Sequence, residues 1–269
     1  MGTLTDHVIV ITGASSGIGA ATAVACARAG MHVVLSGRDA ARLEAVAGLI
    51  RKQGRQAESV PGEATEPGLP ARLLDAAEGR WGGFYAVFAN AGYGFKKPLH
   101  ETSDAELRAI FEVNFFAANA LLCEAARRLL AAGRPGHLLH CSSAVAKFTL
   151  PAFAAYSATK AAQNHAARAM NMELRPRGIF VSSVHPVTTR TDFFDRMNEH
   201  AGRPREGERA LAHVPGWLLQ RPEQVAEAVV RCLRRPRPEV WTSPLTRLMA
   251  GLITIFPRGM DMLGRQAPP

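Results

Sequence analysis

The chain has 269 residues, 47% hydrophobic and 20% charged, a balance that suits a substantial buried core and excludes a disordered or fibrous protein. Its net charge of +9 comes mostly from arginines spread along the chain, without a Lys/Arg block or an interleaved aromatic platform, so no nucleic-acid partner is expected. The four cysteines, Cys26, Cys123, Cys141 and Cys232, form no Cys-x-x-Cys pair and adjoin no His cluster, which excludes a zinc site and predicts reduced thiols in a cytoplasmic protein.

The first eleven residues carry no basic region followed by a long apolar run, and no signal peptide is expected. Nor does any stretch reach the roughly 18 uninterrupted apolar residues of a membrane span. Residues 7–11 are apolar and β-branched and predict a buried strand. Thr12-Gly13-Ala14-Ser15-Ser16-Gly17-Ile18-Gly19 follows, and then an alanine-rich helix over residues 20–29, stopped by Gly30. Strand, glycine turn and helix make the context a phosphate loop needs. Glycines let the backbone approach a pyrophosphate, and the free N–H groups of the helix start face the anion. Residues 31–36 are a second strand, and residues 39–52 a helix with Leu43, Val46, Leu49 and Ile50 on one face. Between them lies Ser36-Gly37-Arg38. An acidic residue here would grip an adenosine 2′-hydroxyl, whereas an arginine suits a 2′-phosphate; Arg38 therefore favours NADP(H), with NAD(H) as the alternative.

A third strand is expected over residues 56–60, ending at Pro61-Gly62-Glu63-Ala64-Thr65, then a helix over 70–80. A fourth strand, 84–89, ends at Asn90-Ala91-Gly92. Residues 104–132 read as one long helix, with Ser103 or Thr102 as cap and Asn114 inside it. The fifth strand, 137–143, closes on Ser142-Ser143, and a helix over 154–174 carries Tyr156 and Lys160. The sixth strand, 179–184, runs into His185-Pro186-Val187-Thr188-Thr189-Arg190-Thr191. The polar, Gly/Pro-broken stretch from about 190 to 220 reads as a mobile insertion able to close over a site. A helix over 222–234 and a strand over 240–242 complete the pattern. Alternating strands and helices imply one doubly wound α/β domain with a parallel sheet, spanning residues 1–242. Residues 243–269 form an amphipathic extension.

Tyr156 and Lys160 are four apart, so on a helix they share a face. A phenol titrates near 10 and is a poor acid–base catalyst at neutrality, but a fixed ammonium beside it favours the phenolate. The pair is thus suited to exchange a proton with a carbonyl or alcohol oxygen.

Together these residues resemble the short-chain dehydrogenase/reductase family over roughly residues 5–240. Thr12-Gly13-x-x-x-Gly17-x-Gly19 is similar to the family's cofactor loop, and Asn90-Ala91-Gly92 to its Asn-Asn-Ala-Gly motif. Asn114, Ser143, Tyr156 and Lys160 match the order and spacing of its catalytic tetrad, with Ser143 13 residues before Tyr156. The resemblance implies that Tyr156 is the acid/base, that Ser143 hydrogen-bonds the substrate oxygen, and that Lys160 lowers the tyrosine and holds the nicotinamide ribose. It implies that Asn114 anchors a proton-relaying water. Cofactor contacts are expected from Gly13, Ser15, Ser16, Gly17, Ile18, Gly19, Arg38, Glu63, Ala64, Asn90, Ala91, Gly92, Tyr156, Lys160, Pro186, Thr188 and Thr191. The resemblance further implies a homodimer or homotetramer. Three positions depart from the pattern: Ala89 replaces the first Asn, Glu63 stands where Asp is usual, and Val187 replaces the glycine after Pro186. The activity implied is hydride transfer between the nicotinamide and a carbonyl or secondary alcohol. A nucleotide-binding regulatory protein of the same fold is the alternative.

His140, His165 and His185 read as packed, hydrogen-bonded histidines rather than ligands. Tyr93, Phe95, Phe148, Phe153, Phe193, Phe194 and Trp217 fall in segments expected around the nicotinamide and predict an apolar substrate pocket. In the tail, Leu245, Leu248, Met249, Leu252, Ile253 and Phe256 recur at helical spacing, flanked by Arg247, Arg258 and Arg265. Packing of this stripe on the protein is expected in preference to contact with an acidic membrane surface.

Overall fold

The computed structural model describes residues 3–200, 211 and 214–256. A central sheet of parallel strands is built from β1 (Val8–Thr12), β2 (His32–Gly37), β3 (Ala57–Pro61), β4 (Ala86–Ala89), β5 (Gly136–Cys141), β6 (Ile179–His185) and β9 (Glu239–Trp241), in the order β3-β2-β1-β4-β5-β6-β9. Two further short strands, β7 (Thr188–Thr189) and β8 (Leu219–Gln220), pair with each other beyond the end of β6. The helices are α1 (Gly17–Arg28), α2 (Ala40–Arg51), α3 (Leu69–Trp81), α4 (Asp104–Phe111), α5 (Ala118–Ala131), α6 (Ala154–Leu174), α7 (Phe193–His200), α8 (Pro222–Arg234) and α9 (Pro244–Ile255).

The central strands are mostly apolar because both faces of the sheet are covered, with His137, His140, Ser182, Ser183 and His185 among the buried polar exceptions. Alternate residues of β1 diverge. Ile9 and Ile11 bury with Ala23, Leu43 and Val229 of α1, α2 and α8, while Val8 and Val10 bury with Leu73, Leu122 and Ala167 of α3, α5 and α6. The strand order reverses between β1 and β4, and their carboxyl ends diverge into the loops after Thr12 and Ala89. Such a switch point leaves a crevice with no crossover above it.

The expected strands are all present, displaced by a residue or two at their ends, as are the helices 154–174 and 222–234. Three expectations change. Helix α1 begins at Gly17, three residues before the predicted start, because its first turn is set by packing of Gly19 on Gly13 and not by side-chain periodicity. Helix α2 buries Leu43, Val46, Ala47 and Ile50, while Leu49 is 50% exposed. The predicted helix over 104–132 is three pieces: α4, a π-helical turn over Glu112–Ala117, and α5. Its start carries a complete capping box between Ser103 and Glu106. The π turn winds one extra residue into the helix, a device frequent at functional sites.

These burial differences predict distinct stabilities. Ile11→Ala, at a fully buried position, should cost about 2–5 kcal/mol, whereas Leu49→Ala should stay within about 0.5 kcal/mol of the parent. Urea unfolding of the two variants checks the assignment.

Candidate active site

The cleft opens over the carboxyl ends of β1, β2, β4, β5 and β6 and has a volume of about 810 Å³, within the range of small-molecule and cofactor sites. Its floor at one end is the glycine loop. Gly13 and Gly17 hold positive φ values of 64° and 56°, which a side chain would strain. A Cβ at Gly19 would lie 2.2 Å from the Gly13 carbonyl oxygen, so only glycine lets α1 seat against the loop. Asn90 locks the loop from β4: its Nδ2 donates to the Thr12 carbonyl at 3.0 Å and to that of Gly13 at 3.3 Å. The Thr12 hydroxyl in turn accepts from the backbone N–H groups of Asn90 and Ala91, each at 3.1 Å. No side chain caps α1, so its first-turn N–H groups are left for an anion in the cleft. This is a cradle that fits a dinucleotide pyrophosphate.

Most cofactor residues expected from the sequence line this cleft. Ser15, Ser16, Gly17 and Ile18 form the loop side; Glu63 and Ala64 with Arg38 form the far end; Asn90, Ala91 and Gly92 form the middle; Pro186, Thr188 and Thr191 close the β6 side. Gly19 does not line it. Its role is the close packing just described. Arg38 lies 3.8 Å from Glu63, both more than half exposed, so their attraction is weak and water-screened.

Of the four residues expected as a tetrad, Ser143, Tyr156 and Lys160 line the other end of the cleft. Helix α6 presents Tyr156 and Lys160 one turn apart, and Ser143 follows β5. Burial pushes the phenol of Tyr156 above its ordinary value, and the neighbouring Ser143, which favours the phenolate, offsets only a smaller part of that. Burial pulls Lys160 down to about 8. Its Nζ lies 5.5 Å from the Tyr156 ring centroid and bonds elsewhere, to the Cys141 carbonyl at 2.7 Å and Gln163 Oε1 at 3.1 Å. In the protein alone, then, desolvation decides the tyrosine's protonation, and the expected lowering by Lys160 does not.

Asn114 sits below the cleft instead of lining it, fully buried by the π turn. Its Oδ1 accepts from the Tyr93 N–H at 2.9 Å, and its Nδ2 donates to the Tyr93 carbonyl at 2.8 Å and to Thr159 Oγ1 at 3.1 Å. Those bonds tie the loop after β4 to α6. The Asn114 backbone carbonyl accepts from Gln163 Nε2.

The three histidines behave differently from one another. His165 is exposed. His185 donates from Nδ1 to the Ser143 carbonyl at 2.9 Å, meets Ser183 Oγ through Nε2 at 2.9 Å and stacks on Trp241 at 4.6 Å. It thereby holds the backbone of the candidate catalytic serine. His140 is fully buried, and neither ring nitrogen has a hydrogen-bond partner among the described residues, contrary to expectation. Its neighbours on the strand are apolar, and the neutral ring acts there as filler.

Of the aromatic residues expected in the pocket, Tyr93, Phe148, Phe153, Phe193 and Phe194 line the cleft. Phe95 is buried instead beside Ile110 and Ala155. The Trp217 side chain lies outside the described residues, as do 201–210 and 212–213 of the expected lid and 257–269 of the tail, including Arg258 and Arg265. The ends of the lid are pinned together, since Gln220 Nε2 donates to Thr189 Oγ1 at 2.9 Å. Helix α9 divides its apolar residues between two directions. Met249 and Ile253 line the cleft with Thr246, while Leu245, Leu248, Leu252 and Phe256 are exposed. A stripe wider than one packing face cannot be buried by one wall.

A family model described as short chain dehydrogenase matches residues 7–202. The chain belongs to the short-chain dehydrogenase family. Among its relatives, the cis-4-hydroxycyclohexanecarboxylate dehydrogenase of Sinomonas cyclohexanicum is 34% identical over 226 residues, covering 83% of this chain and 88% of that one. A solved short-chain dehydrogenase from Sphingobium yanoikuyae, in complex with NADPH, superposes with a TM-score of 0.78 at 25% identity, covering 98% of both chains. The fold is shared too by a Burkholderia phymatum short-chain dehydrogenase/reductase in complex with NAD, with a TM-score of 0.83 at 24% identity over 100% of this chain and 98% of the other. This short-chain dehydrogenase is therefore an oxidoreductase using a nicotinamide dinucleotide, and its substrate is a small molecule.

Burial makes its stability acid-sensitive. His137, His140 and His185 are held down to about 3, about 3 and about 4 in the folded protein, chiefly by desolvation. Unfolded, each takes up its proton near 6.5. The folded state is favoured in full above that value and loses the contribution as pH falls toward 4 and then 3, where only the unfolded chain gains protons. Stability should decline below about pH 6.5 by up to about 1.4 kcal/mol per pH unit for each histidine. His140→Leu should lower that slope by one proton in urea unfolding curves taken from pH 4 to 8.

Proposed function

We propose that this enzyme is an NADP(H)-dependent carbonyl reductase, interconverting an apolar ketone and its secondary alcohol with Tyr156 as acid/base. The observation that carries this reading is Tyr156 lining the cleft together with Ser143, on the same helix face as the buried ammonium of Lys160. Bound nicotinamide supplies or accepts the hydride. As hydride reaches a carbonyl carbon, charge grows on the oxygen, and donors already aimed at it lower the barrier. Ser143 and Tyr156 are those donors. Tyr156 releases its proton to the oxygen, and Lys160 holds the cofactor ribose and offsets the charge left on the phenol.

Desolvation keeps Tyr156 protonated at neutral pH, the form that donates to a carbonyl oxygen. Phe193 stacks obliquely on Tyr156 with ring centroids 5.7 Å apart, and Met249 and Ile253 of α9 extend the same apolar wall. That wall supports a ring ketone as substrate. The name of the Sinomonas relative, a dehydrogenase of a cyclohexane-ring alcohol, supports the same class. Residues 190–220, pinned at their base by β7 and β8, act as the lid.

Arg38 at the open end of the cleft supports a 2′-phosphate and so NADP(H). Glu63 beside it favours the second reading, NAD(H), by repelling a phosphate and accepting from a ribose hydroxyl.

Tyr156→Phe should lower turnover of a cyclohexanone-type ketone by about 10²–10⁴-fold while NADPH still quenches tryptophan fluorescence with nearly the parent affinity; full activity in that variant removes the mechanism. Arg38→Ala should weaken NADPH about tenfold or more, the loss of a charge-assisted bond, with NADH little changed. Equal losses with both cofactors would overturn the NADP(H) assignment.

A further inference from the structure

Gln163 lies three residues beyond Lys160 and therefore one helical step along the same face of α6. It is fully buried. Its amide makes two bonds at once. Nε2 donates to the Asn114 carbonyl, and Oε1 accepts from Lys160 Nζ at 3.1 Å. The orientation of the amide is dictated by its partners: a carbonyl only accepts and an ammonium only donates, so the reverse orientation would lose both bonds.

The ammonium needs this. Its protons number three, and the two acceptors it meets are the Cys141 carbonyl at 2.7 Å and Gln163. The titratable groups facing it are Cys141 and His140 on β5 and Tyr156 on its own helix. Burial holds the cysteine and the tyrosine in their protonated, neutral forms and the histidine in its unprotonated one. On the π-turn side, Gln163 itself stands between Lys160 and the uncharged Asn114. A buried ammonium thus rests on neutral oxygens, of which one belongs to a single replaceable side chain.

We propose that Gln163 is a positioning residue of the reaction, a fixed amide tie that holds the Lys160 ammonium charged and aimed at the cleft by anchoring it to the π turn at Asn114. The proposal rests on the reading of Tyr156 and Lys160 as the working pair. An amide keeps its protons across the physiological pH range, so the tie sets geometry and charge and does not pass protons between Lys160 and Asn114. It occupies the Asn114 carbonyl with a donor from the protein itself. Asn114 then serves the site through α6 and Gln163 and not through direct contact with the cleft.

Two near-isosteric substitutions separate this role from packing. Gln163→Met keeps the volume and loses both bonds. Gln163→Glu keeps an oxygen at Lys160 and adds a negative charge. The readout is NADPH affinity by fluorescence titration from pH 6 to 10, which needs no substrate. An ammonium that grips the ribose strengthens binding below its own titration and loses that contribution as pH rises through it, near 8 in the parent. In Gln163→Met the midpoint of the decline should fall by about one pH unit, the loss of one hydrogen bond to a charge. In Gln163→Glu it should rise above the parent value. With a cyclohexanone-type ketone, Gln163→Met should also lower kcat about tenfold with KM little changed.

Opposite displacements in the two variants support the tie, and each variant reports independently if the other does not fold. Midpoints equal to the parent's in folded Gln163→Met or Gln163→Glu, judged by circular dichroism, overturn it. The outcome remains distinct from failure of the underlying mechanism. An active Tyr156→Phe counts against the working pair, whereas an inactive Tyr156→Phe with unmoved Gln163 midpoints counts against the tie alone.

Discussion

The site depends on one positive charge kept inside the protein. Lys160 is 4% exposed, and taking an ammonium out of water costs several kcal/mol unless its protons find acceptors. Here they find the carbonyl oxygen of Cys141 at the end of β5 and the amide oxygen of Gln163. Those bonds make the lysine a joint between three elements. Strand β5 supplies Cys141 and then Ser143, α6 supplies Tyr156 and Lys160, and the π turn reaches the lysine through Gln163. The Ser142 hydroxyl adds a further tie by donating to the Lys160 carbonyl at 2.9 Å. Displacing any one of these elements leaves a buried charge unsatisfied, so the geometry that does chemistry is also the geometry that the interior tolerates.

The same burial acts on both members of the proposed acid–base pair, in opposite directions. It raises the phenol of Tyr156 and lowers the ammonium of Lys160, since in each case the charged form is the one penalised. The bare protein is therefore poised as a neutral acid next to a weakened cation. Of the two, only Lys160 is brought closer to titrating near neutrality, while Tyr156 is held more firmly in its neutral form. Functional clefts commonly gather perturbed groups of this sort.

Around this centre, many supports are neutral hydrogen bonds and stacked rings, with the Lys147–Glu239 ion pair at 2.8 Å beside Trp241. Asn90 and Thr12 hold the glycine loop. Asn114 holds the loop after β4. His185, stacked on Trp241, holds the backbone of Ser143 from behind. Neutral buried bonds keep their strength in salt, unlike exposed pairs such as Arg38 with Glu63. The outer end is built differently: Phe193 and Phe194 of α7 and Met249 and Ile253 of α9 line the cleft from beyond the central sheet.

Much of this was legible in the amino-acid sequence. Strand–glycine–helix order predicted the phosphate cradle, apolar runs predicted a sheet buried on both faces, and the spacing of Asn114, Ser143, Tyr156 and Lys160 predicted their convergence. These signals are local, or follow from a regular topology that places strand ends together. The tertiary structure decided what depends on competition between non-local environments. Leu49 faces solvent although periodicity put it in the core, because α2 offers only one narrow face to the sheet. A π turn interrupts the predicted long helix and turns Asn114 inward, and helix α9 spends only part of its apolar surface on the cleft. Above all, desolvation outweighs the neighbouring cation in setting Tyr156, and Gln163 joins Lys160 to Asn114. Spacing can place a lysine and a glutamine on one face, but only the packed interior removes the water that would otherwise make their contact negligible.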